Sequence, residues 1–273
     1  MTTELRDAVV VLTGATGGIG AALARRIAAE APRLLVCADL QADAAAALAA
    51  ELNSGARREL AIGRRCDVGT EADVKELIDV VTAAHGVIDV YFANAGVATL
   101  SDPLTDDAVW DRAWRVNTMA HVWAARHLLP GWLERGRGHL VTTASIGGIL
   151  TALGDAAYST SKHATVGFAE WMAVTYRDRG IAVSCVCPAG VRTPMLALFA
   201  GDLGTSAAVQ IAGELMAPAD AADIIVNGVV AQDTLILTHP EVRVFMERKV
   251  ADHTRWINGM ARQARRDQEL LGR

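Results

Sequence analysis

Short apolar runs alternate with longer segments of helical pattern along most of the chain. The apolar runs contain few polar residues, which is typical of strands buried on both faces of a sheet. A regular alternation of such strands with helices predicts a single, doubly wound α/β domain with a mostly parallel, seven-stranded sheet and helices on both faces. The predicted strands are residues 8–12, 34–38, 60–66, 88–92, 139–143, 181–187 and 235–238, and the main helices are residues 19–31, 41–53, 71–85, 107–129, 156–179 and 219–231.

Two segments depart from this alternation of strands and helices. Residues 194–216 are rich in Ala, Gly, Leu and Met, which predicts a flap within the main body of residues 1–238. Residues 239–273 are highly charged and predict a helical extension of the same domain. The apolar residues of this extension leave two alternatives open. They form one stripe on an exposed helix, or they pack on a neighbouring subunit and narrow the entrance of its active site.

Composition narrows the class of protein. The net charge of −5 gives no basic surface for nucleic acid. No run of about 18 apolar residues is present, so we expect no contact with a membrane. The cysteines Cys37, Cys66, Cys185 and Cys187 contain no CxxC pair, and three of them lie in or beside apolar runs. We therefore expect buried free thiols in a cytoplasmic protein and no metal site.

A glycine-rich turn joins the first predicted strand to the first helix. Its glycines are Gly14, Gly18 and Gly20, in the spacing Gly-x-x-x-Gly-x-Gly. Glycines at this junction allow the backbone to approach a pyrophosphate, which would lie at the N-terminus of the helix. The turn therefore predicts a dinucleotide site that includes Thr16 and Ile19.

Further polar and small residues follow the next strands. Asp39 ends the second strand, where a carboxylate can accept hydrogen bonds from the adenosine ribose and would repel a 2′-phosphate. Leu40 follows it and offers no cation, so we expect NAD rather than NADP. Ligands of open parallel sheets collect at the carboxyl ends of strands. We therefore add Asp67 and Val68 as adenine contacts, and Asn94, Ala95 and Gly96 as cofactor contacts.

The chemistry is expected at Tyr158, Lys162 and Ser145. Tyr158 and Lys162 are four residues apart, so on a helix they share one face. A lysine ammonium favours the phenolate, so we expect Lys162 to lower the pKa of Tyr158 toward a usable general base. The Ser145 hydroxyl could hold an alcohol or carbonyl oxygen beside them.

Together these features resemble those of a short-chain dehydrogenase/reductase, over residues 5–238. The residues that carry the resemblance are Thr13-Gly14-x-x-x-Gly18-x-Gly20, Asn94-Ala95-Gly96, Asn117, Ser145, Tyr158-x-x-x-Lys162 and Pro188-Ala189-Gly190-Val191-Arg192-Thr193.

The resemblance implies a Rossmann-like domain and a role for each matched residue. Tyr158 would be the general acid/base, Lys162 would bind the nicotinamide ribose, and Ser145 would bind the substrate oxygen. Asn117 would orient a water in a proton relay to Lys162. The segment that contains Pro188, Gly190, Val191 and Thr193 would bind the nicotinamide carboxamide. The family usually has Pro-Gly where this chain has Pro188-Ala189, and we expect the backbone there to accept alanine.

The substrate pocket is expected to be apolar, because no pair of cations occupies an obvious place in it. Its candidate residues are Ile146, Gly147, Leu153, Met195, Leu196 and Phe199. They predict a hydrophobic secondary alcohol or ketone as substrate.

The resemblance also suggests a homodimer or homotetramer that pairs helices 107–129 and 156–179. These segments contain Trp110, Trp114, Trp123 and Trp171, which would suit an apolar interface or the core.

Two other functions remain open at this point. A sugar-nucleotide epimerase or dehydratase would use the same Tyr-x-x-x-Lys chemistry. A protein that senses NAD without catalysis would keep the nucleotide site alone.

Overall fold

The computed structural model describes residues 2–198 and 215–270. Its centre is a seven-stranded sheet in the order β3-β2-β1-β4-β5-β6-β7, and every neighbouring pair is parallel. The doubly wound α/β prediction is confirmed. The strands are β1 Val9–Thr13, β2 Leu34–Asp39, β3 Ala61–Arg65, β4 Val90–Ala93, β5 Gly138–Thr143, β6 Ile181–Cys187 and β7 Leu235–Leu237.

Helices cover both faces of this sheet. They are α1 Gly18–Ala29, α2 Ala42–Asn53, α3 Glu71–His85, α4 Asp107–Trp114, α5 Ala120–Arg135, α6 Ala156–Tyr176, α7 Pro194–Leu198, α8 Pro218–Ala231, α9 Val242–Ala251 and α10 His253–Leu270.

The first strand shows why the apolar runs are uninterrupted. Val9 and Val11 pack in one hydrophobic cluster, with residues of α3, α5 and α6. Val10 and Leu12 point the other way and pack with residues of α1, α2 and α8. Successive side chains of a strand face opposite sides, so both sides of β1 need apolar residues.

The helix predicted over residues 107–129 differs from the observed structure in two ways. Its α-helical pattern is interrupted by a π-helical turn at Arg115–Met119. The helix also continues through Pro130 to Arg135 instead of ending at the proline. Trp132 anchors this last part, because it is fully buried and its Nε1 donates to the Ile88 carbonyl at 2.7 Å.

The charged segment after β7 forms two helices, α9 and α10. Within residues 2–198 and 215–270, no helix has the length and apolar character needed to cross a membrane.

The strand order reverses between β1 and β4, because the chain leaves β1 toward β2 and β3 and returns to β4 on the other side. Such a reversal opens a crevice at the carboxyl ends of the two strands. The candidate site lies there.

Candidate active site

A cleft of about 870 Å³ runs along the carboxyl edge of the sheet. It brings together most of the residues that the sequence singled out. Those with an expected role in cofactor binding or catalysis are Gly14, Thr16, Gly18, Ile19, Gly20, Asp39, Asp67, Val68, Asn94, Ala95, Gly96, Ser145, Tyr158, Lys162, Pro188, Val191 and Thr193. Asn117 and Gly190 do not line the cleft.

The glycine turn fits a dinucleotide pyrophosphate at one side of the cleft. Gly14 has a φ of +63°, and a Cβ there would meet the Ala95 Cα at 2.7 Å. A Cβ on Gly18 would lie 2.6 Å from Cγ2 of Thr193, so a side chain there would clash with the loop after β6. Gly17 precedes α1 and no side chain caps the helix, which leaves its first N–H groups for an anion.

Asp39 is held in the cleft by backbone donors. The Thr16 N–H donates to its Oδ2 at 3.0 Å, and the Gln41 N–H donates to its Oδ1 at 3.2 Å. Leu40 beside it is 58% exposed and carries no charge. The carboxylate is therefore fixed between the glycine turn and the end of β2, where it can accept further hydrogen bonds.

The cleft also contains two arginines that the sequence analysis missed. Arg112 and Arg115 are exposed and line the cleft from α4 and the π-helical turn, next to Val116. Both arginines lie on the side of the cleft that the β3–α3 loop forms. Their neighbour Val116 is close to that loop, because a Cβ added to Gly69 would lie 3.5 Å from Cγ2 of Val116. Their spacing resembles that of any solvent-facing helical pair, so the sequence carried no specific signal for them.

Asn94 ties β1 to β4 at the reversal point. Its Nδ2 donates to the Thr13 carbonyl at 3.1 Å and to the Gly14 carbonyl at 3.2 Å. Its own N–H donates to Thr13 Oγ1 at 3.1 Å. The side chain therefore fixes the glycine turn against β4 as well as lining the cleft.

Ser145, Tyr158 and Lys162 converge at the other side of the cleft. Ser145 follows β5, and its Oγ accepts the Gly147 N–H at 3.0 Å. Tyr158 lies in the first turn of α6. The Lys162 Nζ lies 5.7 Å from the centroid of the Tyr158 ring and donates to the Thr143 carbonyl at 2.7 Å. The three side chains thus lie together in the cleft, and their catalytic role stays a prediction.

Burial changes the protonation expected of this group. It raises the pKa of Tyr158 to about 12, although a hydrogen bond with Ser145 acts to lower it. Burial also lowers the pKa of Lys162 to about 8. Removal of the phenolate from water outweighs the lowering effect of Ser145, and an effect of Lys162 on the pKa of Tyr158 stays a prediction.

Asn117 lies below the cleft in the π-helical turn and is fully buried. Its Oδ1 accepts the Val97 N–H at 2.8 Å, while its Nδ2 donates to the Val97 carbonyl at 2.9 Å and to Ser161 Oγ at 3.1 Å. The side chain is therefore engaged in joining the β4–α4 loop to α6. A role in orienting water stays a prediction.

A buried carboxylate that the sequence analysis missed fixes the start of α6. Asp155 is 1% exposed, and its Oδ1 accepts the Tyr158 N–H at 3.1 Å. Its oxygens also accept from the backbone of Thr99 at 2.6 Å and Leu100 at 2.8 Å, and from the Ser101 hydroxyl at 2.8 Å. These hydrogen bonds keep the pKa of Asp155 below its usual range, although burial opposes them.

The side of the cleft where the sequence predicts the substrate pocket is mostly apolar. The predicted pocket residues that line it are Ile146, Gly147, Leu153, Met195 and Leu196. Thr151 and Ala152 line it as well, and were missed. Phe199 and most of the predicted flap, residues 199–214, lie outside the described residues.

The loop after β6 accepts alanine where the resembled family has glycine. Ala189 does not have a positive φ, so its side chain causes no backbone strain. Its N–H donates to Thr238 Oγ1 at 3.2 Å. Gly190, although it does not line the cleft, accepts the Met216 N–H through its carbonyl at 2.9 Å.

Helix α9 packs behind the predicted substrate pocket of its own chain. Val242 forms a cluster with Ile146 and Leu150, and Phe245, Met246 and Trp256 pack against it. Lys249 Nζ donates to the Ile149 carbonyl and lies 4.9 Å from the centroid of a Trp256 ring. The extension therefore supports the loop that follows Ser145.

Comparison with known sequences identifies a matching protein family and similar individual proteins. Residues 8–202 match the protein family described as short chain dehydrogenase. The sex determination protein tasselseed-2 of Zea mays is 37% identical over 203 residues, which cover 72% of this chain but only 59% of that protein. The 1-deoxy-11-beta-hydroxypentalenate dehydrogenase of Streptomyces exfoliatus is 35% identical over 215 residues, 77% of each chain.

Solved structures show the same architecture. A short chain dehydrogenase/reductase from Burkholderia phymatum in complex with NAD has a TM-score of 0.82 and 28% identity, over 92% of this chain and 96% of that chain. L-sorbose reductase from Gluconobacter frateurii, complexed with NADPH and L-sorbose, has a TM-score of 0.76 and 25% identity, over 87% of this chain and 97% of that chain.

Proposed function

Since the chain belongs to the short chain dehydrogenase family, we propose that it is an NAD-dependent oxidoreductase that interconverts a hydrophobic secondary alcohol and its ketone. One observation carries this proposal. A single cleft has the glycine turn and Asp39 on one side and Ser145, Tyr158 and Lys162 on the other. A dinucleotide bound along it would bring its reactive ring toward the Tyr158 hydroxyl.

Residues of the chain itself carry out the proton transfer. When bound, the nicotinamide dinucleotide supplies or accepts the hydride. In ketone reduction the Tyr158 phenol gives its proton to the carbonyl oxygen while the Ser145 hydroxyl donates a hydrogen bond to the same oxygen. In alcohol oxidation Tyr158 takes that proton back. Lys162, one helical turn away, places a positive charge beside Tyr158 in its protonated form.

The residues on the other side would bind the cofactor. The N–H groups at the start of α1, which no side chain caps, suit the pyrophosphate. Asp39 suits the two ribose hydroxyls, and its fixed negative charge disfavours a 2′-phosphate. The uncharged Leu40 beside it supports the same preference for NAD. Thr193, in contact distance of the glycine turn, would bind the carboxamide.

The shape of the substrate side supports an apolar substrate. Ile146, Leu153 and Met195 line it, and the cleft's two arginines lie on the side of the β3–α3 loop. The extension 239–273 belongs with the body 1–238 as one domain in this proposal, because α9 braces the pocket of its own chain. Residues 194–216 would act as the flap over the substrate.

The exposed face of α4 and α6 suits self-association into a homodimer or homotetramer. Trp114 is 45% exposed, Trp171 57% and Val174 87%. Aromatic residues are enriched at protein–protein interfaces, which supports this proposal. Trp123, in contrast, is 7% exposed and belongs to the core.

A substrate panel tests the proposed function. Aliphatic, cyclic and aryl secondary alcohols, hydroxysteroids, and the matching ketones are each assayed with NAD(H) and NADP(H). We expect turnover of at least one apolar pair, with NAD(H) preferred. Turnover of a sugar nucleotide without net change in cofactor, or NADH binding with no turnover of any substrate, would favour one of the two other functions instead.

A further inference from the structure

Two arginines of the cleft have no part in the mechanism above. Arg112 belongs to α4 and Arg115 begins the π-helical turn, and both are exposed and line the cleft. They are three residues apart, so their side chains leave the same face of the helix. Among residues 2–198 and 215–270, neither guanidinium has a hydrogen-bond or ion-pair partner.

Exposed arginines elsewhere in the chain do form ion pairs. Arg25 on α1 binds Glu51 at 2.7 Å. Arg126 on α5 binds Glu71 at 2.6 Å. Both pairs are about as exposed as ordinary surface groups, and both still place the guanidinium against a carboxylate. The two cleft arginines differ from them, because their guanidinium groups are available to a ligand in the cleft.

The position of these arginines is at the adenosine end of the cleft. Val116 follows Arg115 and approaches the β3–α3 loop, since a Cβ added to Gly69 would lie 3.5 Å from Cγ2 of Val116. Arg112 lies one helical turn before Val116 and extends the same face. The loop also carries Val68, which the sequence predicts as an adenine contact. The arginines therefore border the predicted adenine subsite.

The lining of this end suits a flat ring. Val68 is 8% exposed and Val116 is half-buried, and both line the cleft with apolar surface. Leu40 lines it from the end of β2. A purine has two flat faces, and apolar side chains can cover one of them. A guanidinium is planar and stacks on aromatic rings, so it suits the other.

The charges of the cleft give these arginines a second effect. Three carboxylates line the described part of the cleft, at Asp39, Asp67 and Asp111. Apart from Lys162 at the catalytic end, the two arginines supply the cations of that lining. A nicotinamide dinucleotide carries a negatively charged pyrophosphate. The arginines offset the carboxylates and so reduce their repulsion of this ligand.

We propose that Arg112 and Arg115 form the outer wall of the adenine subsite, where a guanidinium plane stacks on the purine of the dinucleotide. This inference rests on the proposed function, because that function places a nicotinamide dinucleotide in the cleft. The arginines do not touch the reacting atoms. They determine how tightly the protein holds a dinucleotide relative to a nicotinamide cofactor that lacks adenosine.

Three double variants test this wall. Arg112→Met/Arg115→Met removes the guanidinium planes and the charges but keeps long side chains. Arg112→Lys/Arg115→Lys keeps the charges and removes only the planes. Arg6→Met/Arg57→Met is the matched control. It removes two exposed arginines that precede β1 and β3, at the opposite edge of the sheet.

Binding and turnover are measured with cofactors that do and do not contain adenine. Calorimetry gives the Kd of ADP-ribose, and fluorescence gives the Kd of NADH. Initial rates are measured with NADH and with reduced nicotinamide mononucleotide, which lacks the adenosine part. Tm is measured for every variant, and the exposure of the four arginines predicts that it stays near that of the parent.

We expect the Met double variant to raise the Kd of ADP-ribose and of NADH about tenfold, from a several-fold contribution of each arginine. Its kcat at saturating NADH and its KM for reduced nicotinamide mononucleotide should stay within about twofold of the parent. The Lys double variant should still bind ADP-ribose about threefold more weakly than the parent, because an ammonium has no plane to stack. The control should match the parent.

An unchanged Kd of ADP-ribose in the Met double variant would overturn this inference and leave the proposed function intact. Parent affinity in the Lys double variant would also overturn it, since charge alone would then suffice. A higher KM for the ketone with an unchanged Kd of NADH would show that the arginines bind an anionic substrate instead. A parent protein that binds neither ADP-ribose nor NADH would sink the proposed function itself.

Photolabelling gives a readout that depends on no variant. An analogue of NAD with an azido group on its adenine is irradiated in the parent protein, with excess ADP-ribose as the competitor. We expect mass spectrometry to find the competed label in α4 or in the turn Arg115–Met119. A competed label confined to other parts of the chain would overturn the position given to the adenine.

Discussion

The carboxylate of Asp155 accepts the backbone N–H of Tyr158 at 3.1 Å. The same carboxylate binds the loop after β4 through Thr99, Leu100 and Ser101. The proposed acid/base is thus positioned by a buried charge that does not reach the cleft. It connects the start of α6 to the loop that carries Gly96. A Cβ added to Gly96 would lie 3.2 Å from the Lys162 Nζ, so this loop runs close to Lys162.

Replacement of Asp155 should therefore reduce stability. Asp155→Asn keeps the size of the side chain but turns an amide NH2 toward groups that donate. We expect the free energy of unfolding in urea at pH 7 to fall by about 2 kcal/mol, as for other hydrogen bonds to a charged group. Asp106→Asn is the control, because Asp106 precedes α4 without a side-chain cap and should change nothing.

The difference in stability between the parent protein and Asp155→Asn should depend on pH. The folded-state pKa of Asp155 is lowered, so its stabilisation is complete above the unfolded pKa of about 4 and is lost as pH falls through the folded value. The difference in unfolding free energy between the parent and Asp155→Asn should shrink at acid pH. A difference that grows as pH falls would contradict this account.

Cofactor choice should depend on Asp39. Asp39→Ala removes the acceptor for the ribose hydroxyls, and we expect KM for NAD to rise about tenfold, which is the loss of roughly 1.4 kcal/mol. Adding Leu40→Arg should bring NADP to a comparable or better kcat/KM. Asp43→Ala, on the exposed face of α2, is the control. A parent protein that already prefers NADP would refute the role given to Asp39.

Changes in the C-terminal extension should affect the KM for the substrate more than the KM for the cofactor. Lys249→Met keeps the packed stem but removes the hydrogen bond to the Ile149 carbonyl, so the loop after Ser145 loses one support. We expect KM for the apolar substrate to rise several-fold and KM for NAD to stay within twofold. Lys75→Met, an exposed change on α3, should alter neither. A rise confined to the KM for NAD would contradict the position assigned to α9.

Activity should depend on pH in opposite ways for the two directions. Ketone reduction needs the Tyr158 phenol, which persists because its pKa is about 12, and protonated Lys162, whose pKa is about 8. Its kcat should therefore be level below about pH 8 and fall above it. Alcohol oxidation needs the phenolate and should rise with pH. A reduction rate that climbs between pH 7 and 9 would contradict these pKa values.

The sequence predicted the parts of the site that depend on local pattern. Tyr158 and Lys162 share a helical face, and each glycine of the turn sits at a strand–helix junction, so spacing alone places them together. Asp155 was missed because its partners in the β4–α4 loop lie more than fifty residues away along the chain, and only its hydrogen bond with the Tyr158 N–H is local.

Other misses have the same physical origin. The π-helical turn at Asn117 and the continuation of the helix through Pro130 depend on packing against α6 and on Trp132. The pKa of Tyr158 depends on burial, which a sequence does not give. In the two helical cases, tertiary contacts outweighed local propensity.

The central claim is that Tyr158 moves the proton, and the Tyr158→Phe variant tests it most directly. Its single-turnover rate with the best alcohol or ketone from the panel is measured beside its NADH affinity by fluorescence, with Tyr176→Phe on the same helix as the control. We expect the rate to fall at least about 100-fold with NADH affinity within threefold of the parent. A variant that keeps a substantial part of the parent rate would show that another group transfers the proton.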